Sequence, residues 1–316
     1  MKNSKVVPYL LLFYTIFIAA IFAIAEPTFI KSANLLNIIG TIVVLCIASI
    51  GESLVLITGE VDFACGAELA AGGCLVTALS RSGIPYILAV IITLAYCAML
   101  GFINGKLHTK IGIPAFIATM GMSYVITGLT RLYTNNGNIY AKNKAFKVLG
   151  QSRIAGIPVS VLVLIVIAAL ALLYTEKMTS GRRLYAVGAN SEACRYVGID
   201  AKKEKMKSFV LCALLCGFAG IINSSQIASG NPGMGDTVLT NVLTILMLGA
   251  SFYKLGVFNV PGTIVAAILV GVITNGMVLL GSTTWQQYSV KGILMIVAVT
   301  FITLGRRKSQ KKISKI

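Results

Sequence analysis

Three of the ten acidic residues of this chain fall in one short polar segment, Thr58 to Glu68, between two apolar blocks. Glu60, Asp62 and Glu68 supply the carboxylates, and Gly59 and Gly66 let the backbone leave a helix. Non-helical backbone at membrane depth is tolerated only where protein or water covers it. The segment therefore reads as a broken polar element beside a cavity, or equally as a cytoplasmic turn with solvated carboxylates. Glu52 precedes it inside an apolar block, where an ionisable group suggests a functional or paired role; the competing reading is a neutral, hydrogen-bonded Glu or a misplaced helix end. A second broken segment, Gln226 to Asp236, is rich in Gly, Pro and amide side chains and includes Asn231. Carboxylates and amides converging on a pore would suit a hydroxyl-rich solute, because together they donate and accept hydrogen bonds. An external loop capping a helix is the plainer alternative for this second segment.

Other chemistry is poorly represented. Seven cysteines sit mostly inside apolar blocks with no CxxC pair, so packing is favoured over a disulfide or metal role. The lone His108 lies in a basic loop and cannot build a His-rich metal site. There is no recognisable nucleophile and base pair, and no cofactor is expected on this chain.

The elements that must position these residues are set by composition. Of 316 residues, 57% are hydrophobic and 12% charged, against roughly 25% charged in an ordinary soluble domain. Such a chain cannot cover a water-facing surface, and its long apolar blocks match the roughly 20 residues of a spanning helix. Ten spans are expected, near 8–25, 36–58, 64–80, 84–101, 114–133, 157–175, 206–227, 237–253, 261–281 and 288–304. The net charge of +17 concentrates in the segments between spans, which favours the cytoplasmic side of a membrane and argues against nucleic acid. Both termini are placed in the cytoplasm, with a long cytoplasmic segment at 176–205 and a basic tail at 305–316. Lys31, Arg81, Lys142, Lys144, Lys147 and Arg153 fall outside, four of them in a loop near 134–156 that offers a docking surface for a soluble partner. Lys2 and Lys5 precede a first block ending in a signal-peptidase-like Ala23-Ile24-Ala25; its length and the helices after it argue for a retained first helix.

An internal repeat is visible. Gly101-Phe102-Ile103-Asn104-Gly105 closes the fourth span, and Gly271-Val272-Ile273-Thr274-Asn275-Gly276 lies near the end of the ninth. An offset of five helices reverses orientation, as in inverted-topology repeats. The expected fold is an all-α polytopic membrane protein: one transmembrane domain over 1–316, with repeat one near 8–133 and repeat two near 157–304. Asn104 and Asn275 join Glu52, Glu60, Asp62, Gly66, Glu68, Gln226, Asn231 and Asp236 as candidate pathway residues.

The cytoplasmic stretch from Gly181 to Asp200 has a local logic of its own. Asn190 can cap a short helix from Ser191 to Val197, with Glu192 in its first turn, and Gly198 can end it. A capped helix between two spans is suited to transmit force from a cytoplasmic partner.

Here the sequence resembles a known family. Gly181-Arg182, Tyr185-Ala186-Val187-Gly188, Asn190, Ala193, Arg195 and Gly198-Ile199 look like the coupling region of ribose/xylose/galactose-type ABC permeases. Gly59-Glu60-Val61-Asp62-Phe63-Ala64-Cys65-Gly66 resembles the Gly-Gly-Ile-Asp-Leu-Ser-Val-Gly signature of that family. Asn104-Gly105-Lys106-Leu107, Ile113 to Thr119, Asn275-Gly276 and Trp285 to Gly292 also match in order. The departures are Glu60 for glycine, Phe63-Ala64-Cys65 for Leu-Ser-Val, Leu248 to Gly256 for a Gly-Gly-Thr-Ser-rich turn, and Asp236 near a usual Gly-x-Glu-Leu. They bear on the substrate more than on the transporter class.

The resemblance implies a bacterial inner-membrane permease subunit for a simple sugar or related polar solute, paired with a second permease, identical or related. It also implies a cytoplasmic ABC ATPase and an extracytoplasmic solute-binding protein as partners. Gly101 to Leu107 is one residue short of a phosphate loop and lacks its terminal Ser or Thr, so ATP must be hydrolysed by another polypeptide. The competing class is an ion-driven secondary transporter, which would also use broken helices and inverted repeats. A membrane-embedded enzyme is a third.

Overall fold

Each of the ten apolar blocks coincides with a helix in the computed structural model, which describes residues 7–253 and 256–313. Lys2 and Lys5, Lys254-Leu255 of the altered turn, and residues 314–316 of the basic tail lie outside them. The helices are α1 (Val7–Ala25), α2 (Ser32–Ile57), α3 (Cys65–Arg81), α4 (Tyr86–Lys106), α5 (Ala115–Thr134), the single turn α6 (Val148–Gln151), α7 (Val159–Leu172), α8 (Thr179–Ala189), α9 (Ser191–Tyr196), α10 (Ala201–Ile227), α11 (Val238–Ala250), α12 (Val260–Leu279) and α13 (Thr284–Ile313). Among the described residues, five helices are long and apolar enough to cross a membrane: those at 32–57, 86–111, 159–177, 201–227 and 260–279. The chain is thus an all-α polytopic membrane protein.

The chain packs as two compact units, one of residues 1–49 with 240–316 and one of residues 50–239. In the first, α1 lies on α12 around Phe29, Ile38 and Val272, with Phe22 stacked on Phe29. Asn34 and Asn275 exchange amide hydrogen bonds of 2.9 and 3.0 Å, and Asn34 also donates to the Phe29 carbonyl.

In the second unit α10 packs along α3 and α4. Small residues allow this close approach, as is usual between helices in lipid: a Cβ on Gly72 would stand 2.7 Å from the Gly217 carbonyl oxygen, and one on Gly101 would stand 2.5 Å from that of Phe209. The Gly101 to Gly105 segment, expected to close the fourth span, turns Gly101, Asn104 and Gly105 into the packed interior and leaves Phe102 exposed. The helix runs on to Lys106 and through a π-helical turn, Leu107–Ile111, before Gly112 ends it in a left-handed conformation.

The expected outer loop is more ordered than its composition suggests. Its strand β1 (Ile139–Tyr140) pairs antiparallel with β4 (Ser229–Gly230), and β2 (Arg153–Ile154) forms a small hairpin with β3 (Ile157–Pro158). Phe146 is fully buried with Val76, Ala89 and Ile221 and meets Tyr86 edge to face at 5.5 Å. The Ser225 hydroxyl donates to the Phe146 carbonyl and accepts from the Gly150 amide. Apolar anchoring of this kind is invisible to a charge count.

Candidate functional site

The turn between α2 and α3 is built from its own side chains. Gly59 takes φ +88°, a conformation open to glycine, and releases the chain from α2. Glu52, one and a half turns before the end of α2, reaches forward so that its Oε1 accepts from the Asp62 amide at 2.9 Å. Asp62 Oδ1 then accepts from the Ala64 amide at 2.8 Å, and the Phe63 amide donates to Thr119 Oγ1 at 3.0 Å. With their amides satisfied, Asp62 and Ala64 can stay buried although the backbone there is not helical. Asn104 Nδ2 donates to Glu68 Oε1 at 3.1 Å, and the Cys212 thiol lies 3.4 Å from Glu52 Oε2. Glu52, Asp62, Glu68 and Asn104 are all fully buried. Within Thr58 to Glu68 the structure buries Asp62 and Glu68 and leaves Gly59 exposed and Glu60 half-buried.

Glu60 stands apart from this nest. Its Oε1 lies 2.6 Å from Lys205 Nζ and 3.2 Å from His108 Nε2. Burial alone would raise its pKa, but the hydrogen bonds with His108 and Lys205 outweigh it and hold the carboxyl below the ordinary glutamate value. The residue that departs from the family signature thus brings together the lone histidine and the first turns of α10.

A cleft of about 320 Å³ opens beside the nest, lined by Phe63, Gly66, Ala67 and Ala70, by Ser123, Tyr124, Thr127 and Arg131 of α5, and by Pro232, Gly235, Asp236 and Leu239. At its floor the two broken segments touch: a Cβ on Gly66 would stand 2.6 Å from the Gly235 carbonyl oxygen. Arg131 Nη2 and Asp236 Oδ2 face each other at 3.9 Å. Arg131, Ser123, Tyr124 and Thr127 were not among the candidates. The available signal was an arginine inside an apolar block with hydroxyl groups one and two turns before it.

The ten pathway candidates therefore separate. Gly66 and Asp236 line the cleft, whereas Glu52, Asp62, Glu68 and Asn104 form the buried nest behind it. Glu60 belongs to the ion-paired turn. Asn231 closes its own loop by accepting from the Gly233 amide at 2.7 Å, and the Gln226 carbonyl accepts from Gln151 Nε2 at 2.9 Å. Asn275 is engaged with Asn34 in the other compact unit.

The stretch expected to face the cytoplasm forms two helices, α8 and α9, where one was expected. Asn190 caps α9 by accepting from the Glu192 and Ala193 amides at 3.0 and 2.9 Å, and Gly198 ends it at φ +75°. The preceding helix α8 buries Gly181, Leu184 and Val187 and leaves Arg182 exposed, with Tyr185 half-buried. A Cβ on Gly181 would collide with the Tyr174 carbonyl oxygen, and one on Gly188 with the Ile57 carbonyl oxygen at the end of α2. Ala193, Arg195, Tyr196, Val197 and Gly198 are exposed, Tyr196 by 90%, and Ile199 is half-buried. An exposed apolar and cationic turn thus sits on a helix that abuts the segment leading to Glu52 and Asp62.

Residues 34–299 match the family described as "Branched-chain amino acid transport system / permease component". The chain belongs to this permease family. It is 32% identical over 308 residues to the ribose import permease protein RbsC of Bacillus subtilis (strain 168), covering 97% of this chain and 94% of that relative. It is 30% identical over 284 residues to the ribose import permease protein RbsC of Escherichia coli (strain K12), covering 89% and 88%. Identity to the D-allose transport system permease protein AlsC of Escherichia coli (strain K12) is 28% over 284 residues, covering 89% and 87%. The permease is accordingly the membrane subunit of a binding-protein-dependent ABC importer, and ATP hydrolysis belongs to a separate subunit.

Proposed function

We propose that this permease carries a simple sugar or a related hydroxyl-rich solute, with ten spans in two inverted repeats and both termini in the cytoplasm. A second permease, identical or related, completes the pathway in a bacterial inner membrane. The observation that carries the reading is the cleft at the junction of the two broken segments. It offers carboxylate, guanidinium and hydroxyl groups beside the Phe63 and Tyr124 rings, a mixture suited to a polyol with one apolar ring face.

The energy enters from the other side. A cytoplasmic ATPase docks on the exposed turn at Ala193, Arg195 and Tyr196 and pushes α9. The push passes to α8, and through Gly188 to the Ile57 carbonyl, moving the end of α2 and the turn that carries Asp62. A solute-binding protein loaded outside delivers its cargo, and closure of the ATPase drives alternating access.

The test is uptake into proteoliposomes that contain the permease with its cognate ATPase and solute-binding protein. ATP-dependent accumulation of ribose or allose, abolished when either partner is left out, is the expected result. Uptake driven by an ion gradient without ATP, or a binding protein that ignores sugars, would overturn the reading.

A further inference from the structure

The lone histidine sits between two groups that accept hydrogen bonds. His108 Nδ1 lies 3.0 Å from the Ile113 carbonyl oxygen, and Nε2 lies 3.2 Å from Glu60 Oε1. A carbonyl and a carboxylate can only accept, whereas a neutral imidazole carries one N–H and one bare lone pair. Either neutral tautomer would therefore turn a lone pair on an oxygen. A proton between Nε2 and Glu60 belongs to the ring, because an imidazole with an ordinary pKa of about 6.5 is a stronger base than a glutamate at about 4.3. The arrangement is that of an imidazolium donating from both nitrogens.

The side chains of His108, Glu60 and Lys205 are 17%, 19% and 17% exposed, so solvent and salt screen their contacts only weakly. The charged groups that face the ring are Glu60, from the turn after α2, and Lys205, from α10. Glu60 favours the second proton on the ring and Lys205 opposes it. The Phe209 ring of α10 stands beside the imidazole, with centroids 6.1 Å apart. Asp62, in the same turn as Glu60, is held in the nest by the Ala64 amide. The start of α5, which also packs on the π-helical turn, has no titratable residue before Tyr124. On the element of the ring itself, Lys106 and Lys110 flank it in sequence.

This contact falls at a hinge. Gly59 takes φ +88° with open space where a Cβ would stand, so the backbone there bends freely. Ile57, whose carbonyl oxygen meets Gly188, lies just before it, and Glu60 lies just after. A displacement of the end of α2 is absorbed at Gly59 unless the residue that follows is held. Lys205 holds Glu60 to α10 whatever the state of the ring, and His108 adds the end of α4. We infer that His108, as an imidazolium, is a positioning residue for transport: it pins the turn after α2 to the π-helical end of α4, so that a push on Ile57 reaches α4, and loss of its second proton releases the pin. Histidine changes charge between about pH 5 and pH 8. The pin is set below the titration of the ring and released above it, so the coupling of ATP hydrolysis to uptake falls as pH rises through that step. The glycine that the family signature carries in place of Glu60 could not make this contact. The inference rests on the coupling route through Gly188 proposed above.

The test uses the full-length permease with an affinity tag that contains no histidine. The chain has one histidine, so ¹⁵N labelling of histidine reports this ring alone by NMR. Both ring nitrogens should be protonated at about pH 6. The second proton should leave in a single step, whose midpoint falls by roughly one pH unit or more in Glu60→Gln. A neutral ring at about pH 6, or a midpoint that Glu60→Gln leaves in place, would overturn the inference without any change at position 108. The second readout is the ratio of solute taken up to ATP hydrolysed, in proteoliposomes with the cognate ATPase and solute-binding protein, from about pH 6 to about pH 8.5. In the unmutated protein the ratio should fall by roughly fivefold across the same midpoint. His108→Gln should hold it low and flat, and His108→Lys, a cation throughout this range, should hold it high and flat. One pH profile shared by all three proteins would overturn the positioning role. Absence of ATP-dependent uptake by the unmutated protein at every pH would instead overturn the coupling route and this role with it, and the ring titration would still show whether the contact is made.

Discussion

Lys205 Nζ stands 2.6 Å from Glu60 Oε1, across 145 residues of sequence, and fastens the start of α10 to the turn that follows α2. His108 reaches the same oxygen from the π-helical end of α4. Three elements of the second unit thus converge on a carboxylate where the family signature carries a glycine. The Glu60 carboxyl has a depressed pKa in the folded protein, so its contribution to stability is fully present above its ordinary value of 4.5. That contribution is lost as pH falls through the lower folded value. Glu60→Gln should lower stability at neutral pH by roughly 1 kcal/mol, given a half-buried, charge-assisted contact. The difference from the unmutated protein should shrink as the pH is taken below 4.5. Thermal unfolding in detergent across a pH series measures both, and a gap that widens in acid would contradict the assignment.

Gly188 has no room for a side chain, because a Cβ there would collide with the Ile57 carbonyl oxygen. Gly188→Ala should push α8 away from the end of α2. The expected outcome is a loss of uptake of about tenfold or more, corresponding to roughly 1.4 kcal/mol or more, with membrane insertion and ATPase binding retained. Arg195→Ala, on the exposed turn itself, should instead weaken ATPase association. Uptake and ATP hydrolysis measured side by side in proteoliposomes distinguish the two, and normal coupled uptake by both variants would remove this route from the mechanism.

The helices were legible because each apolar block announces a solvent, and the Asn190 cap was legible because capping is local: one side chain and two amides within three residues. Partners distant in sequence were not. Glu52 was visible as an anomaly, but its contacts are an amide ten residues on and a thiol 160 residues on. His108 was read only as unable to build a His-rich metal site, since Glu60 faces it only once the turn after α2 meets the π-helical end of α4. Asn104 and Asn275, paired by a repeat argument, occupy different compact units and serve different neighbours. Gly101 to Gly105 marked the close of the fourth span in the sequence, whereas the helix runs on to Lys106 and the small size of these glycines lets α10 approach.

The reciprocal amides of Asn34 and Asn275 should behave as a single interhelical lock. Asn275→Ala leaves the Asn34 amide partly unpaired, and hydrogen bonds between membrane helices are worth roughly 0.6 to 1.7 kcal/mol. A destabilisation of about 1 kcal/mol is expected, and Asn34→Ala added to Asn275→Ala should cost less than the sum of the two single changes. Denaturation in mixed detergent micelles measures the cycle. Strict additivity would mean that the two amides do not act together.

Arg131 and Asp236 flank the cleft from different elements and are exposed enough to reach a solute, with side-chain accessibilities of 46% and 62%. At 3.9 Å they form a loose pair that adds little to stability in water, so the pair can open to a polyol at small cost. Arg131→Ala should therefore leave thermal stability nearly unchanged while raising the KM for uptake about tenfold, equivalent to roughly 1.4 kcal/mol of lost binding. Asp236→Asn keeps an acceptor and adds a donor, and should have the smaller effect. Charge reversal at both positions tests orientation: if the cleft only needed one group of each sign, exchanging them would restore uptake, whereas a cleft that reads the solute's hydroxyl pattern would stay impaired. A KM unchanged in Arg131→Ala would place the solute path elsewhere in the permease.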